Sequence, residues 1–193
     1  VFRVLFNIQA LVLLVGVVGM AVGGYPPVRE PDPLRDTLAF LALYLGLMGL
    51  ERLFSRLFPS SFGVVQQLHS QIGRAFRDQQ LGYNHALQLG MISGLAEEVF
   101  FRGALQSLLV STLGLGWLGV VIQALIFAAF HPVPDRRAWS YPLFIFIAGL
   151  AFGVVYFLTG SLIPGILAHY LNNARGFYQL LDEAKRLERS ENG

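Results

Sequence analysis

The chain has 193 residues, of which 54% are hydrophobic and 13% charged, and its mean hydropathy is +0.56. A soluble domain carries about 25% charged residues, and one this small cannot hide so much apolar surface from water, so a water-soluble enzyme is excluded and lipid must solvate much of the chain. A net charge of +2 without a basic, aromatic-interleaved stripe argues against nucleic acid as a partner, and the absence of cysteine excludes disulfides and thiol catalysis.

In chain order, a first span is expected over 4–23, closed by Gly23-Gly24 and Pro26-Pro27. The sequence begins with Val1. Its first apolar run has no small-residue cleavage site and is long enough to span, so it reads as a helix of the protein rather than a signal peptide. A second span covers 37–53. The stretch 55–83 is too polar to span, but Phe62, Val65, Leu68, Ile72 and Phe76 recur every three or four residues, the stripe of an amphipathic helix lying in the interface. A third span covers 85–113. The fourth, 117–130, stops at His131-Pro132, because the residue before proline is pushed out of helical geometry. A fifth covers 141–158 and a sixth 162–180, before a charged tail at 182–193.

The expected fold is therefore all-α: a polytopic membrane bundle of about six transmembrane helices plus an interfacial amphipathic helix. It forms a single transmembrane domain over 1–193. Arginine and lysine gather on one side of this topology, including Arg3, Arg52, Arg56, Arg74, Arg77, Arg136, Arg137, Arg175 and Lys185, against Arg29 and Arg35 on the other. By the positive-inside rule both termini and the tail are cytoplasmic, with the plasma membrane as the expected location. Arg136 and Arg137 read as a topology signal, and His69 and His85 as interfacial residues.

Ionisable side chains within spans cost a few kcal/mol each and mark function by default. The third span holds Glu97, Glu98 and Arg102. Glu98 and Arg102 stand four apart on one face and can pair. Glu97 points about 100° away and needs another reason to be there. His131 ends the fourth span, and His169 and Asn173 share a face of the sixth. Two G-x-x-x-G pairs, Gly90 with Gly94 and Gly149 with Gly153, supply the close helix packing that would bring these groups together. A carboxylate and an imidazole can hold and deprotonate a water. A second imidazole and a carboxamide can donate to the oxyanion that forms. No serine stands in a nucleophile-elbow pattern, which disfavours covalent catalysis.

Glu97-Glu98-Val99-Phe100-Phe101-Arg102 matches E-E-x-x-x-R, Phe127-Ala128-Ala129-Phe130-His131 matches F-x-x-x-H, and His169-Tyr170-Leu171-Asn172-Asn173 matches H-x-x-x-N. In order and spacing these resemble the CPBP family of type II CAAX prenyl endopeptidases and bacteriocin-processing or self-immunity proteins, over a motif-bearing core at 80–175. The resemblance implies an intramembrane endopeptidase, glutamate-type or metallo-type, acting on a membrane-associated protein or peptide substrate, lipidated or not. In it Glu97 is the general base, His131 helps position the water, and His169 and Asn173 form the oxyanion hole, with Glu98 and Arg102 in support. Glu97, His131 and His169 are also a donor set for zinc with an open position, although the H-E-x-x-H motif is absent. Two other readings stand beside the protease. One is a non-catalytic membrane scaffold or self-immunity protein. The other is a proton-coupled transporter, against which the lack of an inverted repeat argues. Phe100, Phe101 and Phe127 are expected to pack rather than to touch substrate.

Overall fold

A computed structural model describes the backbone of residues 2–191, with the side chains of 69, 72, 183, 184 and 187–191 outside the described set. The reading of His69, the Ile72 member of the amphipathic stripe, and most side chains of the charged tail therefore lie outside the described residues. Seven helices follow one another: α1 Phe2–Gly23, α2 Pro33–Leu57, α3 Pro59–Asp78, α4 Tyr83–Glu97, α5 Trp117–Ala129, α6 Ser140–Thr159 and α7 Ile163–Glu191. The expected all-α bundle is what forms. The charged tail is no separate segment of the backbone, since α7 runs through it as helix to Glu191.

Local chemistry sets the boundaries. α1 ends where Gly24 takes a left-handed φ of +68° ahead of Pro26 and Pro27. Asp32 caps α2 by accepting from the Arg35 N–H at 3.0 Å, with Pro33 in the first turn. α6 stops at Gly160, which is left-handed at +64°.

Three described helices are long and apolar enough to cross a membrane: Phe2–Gly23, Pro33–Leu57 and Ser140–Thr159. Their outward residues are large and apolar, as at Leu11, Val22, Leu38 and Leu45. In water such exposure would be prohibitive along whole helices, and in lipid it costs nothing; the chain is an integral membrane protein. The expected spans at 85–113, 117–130 and 162–180 correspond to helices that are shorter or more polar. The physical reason is that α4, its continuation and α7 carry ionisable groups and turn them inward, where neighbouring helices rather than lipid solvate them, while α5 is apolar but only 13 residues long. The stretch at 55–83 forms α3 as expected. Its Phe62, Val65 and Phe76 are buried, while Gln66 and Gln67 are exposed.

One feature was not legible beforehand. At Glu98 the helix widens from α to π geometry, over Glu98–Gln106 and again over Leu108–Thr112. Such i→i+5 segments are rare and occur mostly at functional sites.

Close approach depends on glycine, as the two pairs predict. A Cβ on Gly94 would stand 2.8 Å from the Tyr170 backbone nitrogen, and one on Gly90 2.9 Å from that of Ala174, so α4 and α7 meet backbone to backbone. Gly149 and Gly153 of α6 face α5, with Phe127 at 3.0 Å and Val120 at 2.9 Å from the positions their Cβ atoms would take.

Candidate active site

The π transition falls at the acidic pair. Glu97 closes α4 and Glu98 opens the wider segment, so the two carboxylates serve different neighbours. Glu98 and Arg102 are both buried and pair at 3.0 Å from Oε1 to Nη1. Arg102 Nη2 also donates to the Gly149 carbonyl at 3.1 Å. Its guanidinium lies 4.5 Å from the centroid of Phe127 and 4.9 Å from that of Phe152, so two aromatic faces and two hydrogen bonds replace water around the cation.

Glu98 Oε1 has a second partner, His169 Nδ1 at 2.9 Å. A carboxylate already paired with an arginine is an acceptor, so His169 Nδ1 carries the hydrogen. His131 is held in the same manner: its Nδ1 lies 2.8 Å from the Phe127 carbonyl, which can only accept. Both imidazoles therefore commit Nδ1–H to a structural acceptor and present Nε2 on the other side. Each Nε2 lies 3.5 Å from the same atom, Glu97 Oε2. That oxygen is buried and accepts no hydrogen bond among the described residues. The other oxygen, Oε1, accepts from Gln9 Nε2 of α1 at 3.1 Å.

Asn173 Nδ2 donates to Ser93 Oγ at 2.9 Å, which places the carboxamide one turn of α7 beyond His169 and against α4. Gly165 makes room on the far side, since a Cβ there would stand 2.6 Å from Glu98 Oε2. Gln9, Ser93, Glu97, His131, His169 and Asn173 border a cavity of about 630 Å³ whose lining also includes Phe62, Tyr141, Phe144 and Phe152. Its outer wall carries Gln66 of α3 and an ion pair between Glu51 and Arg175.

The structure thus brings together every site residue expected from the sequence. Glu97, His131, His169 and Asn173 share one cavity, and Glu98 with Arg102 lies behind it. Phe101 and Phe127 form a buried cluster with Ile145, as packing residues should, though Phe127 also reaches the cavity wall. Gln9, Ser93 and Gly165 were missed. A polar side chain inside an apolar run was the available signal for Gln9. Ser93 and Gly165 gave none, because serine and glycine are ordinary in membrane helices.

Over 92 residues, covering 47% of this chain and 42% of the relative, the sequence is 33% identical to an uncharacterized protein, YpbD, of Bacillus subtilis (strain 168). This chain therefore spans well under two thirds of that relative's length. No solved structure matches. Residues 81–175, which run from just before α4 to the fourth turn of α7 and hold every expected site residue, match the family described as type II CAAX prenyl endopeptidase Rce1-like. Over this segment, just under half of its length, the chain is similar to the Rce1-like type II CAAX prenyl endopeptidases.

Proposed function

We propose that the protein is an intramembrane endopeptidase that hydrolyses a peptide bond of a membrane-associated protein or peptide, with Glu97 as general base. The observation that carries this reading is the meeting of two imidazole Nε2 atoms on one buried carboxylate oxygen, at 3.5 Å each, within a cavity large enough for a peptide segment. A water within reach of Glu97 Oε2 and His131 Nε2 gives its proton to the carboxylate as its oxygen attacks the scissile carbonyl carbon. The carbonyl π electrons move onto oxygen, and Asn173 Nδ2 and His169 stabilise that oxyanion. With Nδ1–H committed to Glu98, His169 donates there only from a protonated Nε2, as an imidazolium. Collapse of the tetrahedral intermediate breaks the C–N bond, and the departing amine takes the proton held by Glu97.

Glu98 and Arg102 act through His169, by fixing its tautomer and ring plane. Among the described residues no set of three or more His, Cys, Asp or Glu side chains is disposed to hold a metal ion. The distribution of arginine supports a topology with both termini in the cytoplasm. On that topology the cavity wall formed by Gln66, Glu51 and Arg175 faces the cytoplasmic side.

The test is cleavage of a library of lipidated and unlipidated peptides by the purified protein in detergent, comparing wild type, Glu97→Gln and His131→Ala, each with and without a chelator. Cleavage by wild type and loss in Glu97→Gln, with both equally folded, is the expected result. Loss on chelation would assign Glu97, His131 and His169 to a metal instead. Absence of cleavage by a folded wild type would move the reading to a scaffold or self-immunity protein.

A further inference from the structure

Glu97 is held by a group that lies outside 81–175. α1 runs parallel to α4 and its π continuation, and it docks through a narrow stripe. Gln9, Leu13, Gly16 and Met20, at spacings of four, three and four, turn inward, while Ile8 and Leu11 face outward at 53% and 61% exposure. Gly16 permits the approach, since its Cβ would stand 2.8 Å from the Phe100 backbone nitrogen, and Gly19 follows with Ala104 at 3.0 Å. Two turns before Gly16, on the same face, the Gln9 carboxamide reaches Glu97 Oε1.

We propose that Gln9 is a positioning residue for Glu97, a role that rests on the endopeptidase reading for its catalytic meaning. A carboxylate on a flexible stem can rotate and exchange its two oxygens. By donating to Oε1, Gln9 makes that oxygen the occupied one and leaves Oε2 to face the two imidazoles. The alternative, an ordinary packing glutamine, is disfavoured by its surroundings. A carboxamide in a lipid-exposed apolar helix is costly unless bonded, and its partner is the one buried carboxylate among the described residues not paired with an arginine. The proposal also accounts for a site whose central oxygen has a defined direction although Glu97 itself has no cationic partner within its own helix.

Two variants test it in the full chain. Gln9→Leu removes the donor, and Gln9→Met removes it while keeping an unbranched stem of similar length. Both are expected to lower kcat by about tenfold to a hundredfold, the scale of a misplaced catalytic group, with KM within about twofold of wild type and an unchanged melting profile. An independent readout does not need a substrate. Infrared difference spectra between each protein and its Glu97→Gln counterpart isolate the Glu97 carboxylate stretches, and these should shift when Gln9 is replaced. Shifted bands with no cleavage by wild type would uphold the contact and sink only the endopeptidase reading. Unchanged bands in folded Gln9→Leu, or a kcat equal to wild type in a protein that cleaves, would overturn the proposal.

Discussion

Replacing Arg102 with methionine isolates the cation behind the site. Methionine keeps an unbranched stem between Phe127 and Phe152, so the change removes charge and hydrogen bonds with little loss of packing. What goes is the 3.0 Å pair with Glu98, the 3.1 Å bond to the Gly149 carbonyl and the two aromatic contacts. Removing one partner of a buried pair costs about 3–5 kcal/mol, most of it from the stranded charge. His169 Nδ1 still reaches Glu98 Oε1, which puts the expected loss near the lower end, about 3 kcal/mol. The assay is reversible unfolding in mixed micelles by rising SDS fraction, followed through Trp117 and Trp139 fluorescence. The double variant Glu98→Gln with Arg102→Met neutralises the stranded carboxylate and should recover at least about 1 kcal/mol, a coupling typical of residues in direct contact. Arg102→Met within about 1 kcal/mol of wild type, or a double variant no more stable than the single one, would refute the account of Glu98 and Arg102 as a mutually dependent pair.

Two further outcomes follow from the packing. Gly94→Leu forces a side chain against the Tyr170 backbone and should destabilise by about 1–3 kcal/mol while abolishing cleavage, whereas Gly46→Leu, with open space around it, should do neither; unfolding curves and peptide turnover read both. Ser93→Ala releases the Asn173 amide and should lower kcat by about fivefold, the worth of one hydrogen bond of about 1 kcal/mol, with less effect on KM in the same steady-state assay.

How much of this was legible follows from which interactions are local. Glu98 and Arg102 announce their pairing because four residues on a helix is a contact distance. The G-x-x-x-G pairs announce close approach because the absence of side chains is itself the signal. The stop at Gly160 is written in the chemistry of a single residue, whereas α2 starts at Pro33, ahead of the span expected from 37, because Asp32 caps it. The span count was less legible, since hydropathy cannot tell a helix facing lipid from one whose polar groups are solvated by its neighbours. The change to π geometry at Glu98 is a tertiary outcome with no composition of its own. Gln9 and Glu97 are 88 positions apart, and their meeting depends on the depth at which α1 docks, set by Gly16. The tautomers of His131 and His169 depend on the Phe127 carbonyl and Glu98, acceptors that only the folded arrangement supplies.

The backbone contact between α4 and α7 has a mechanical consequence. Helices that touch through glycine have no side-chain layer to yield, so Glu97 and the pair His169–Asn173 behave as one fixed jaw. A peptide entering the cavity cannot wedge that jaw wider. Any widening must come from the opposite wall, where Leu47 of α2, Phe62 and Val65 of α3, and Phe144 of α6 meet the cavity through a layer of side chains rather than through backbone. The protein thus divides rigidity from compliance. On the proposed endopeptidase reading, Glu97, His169 and Asn173 keep their spacing whatever the bulk of the substrate, and the part that yields is the wall built by α2, α3 and α6.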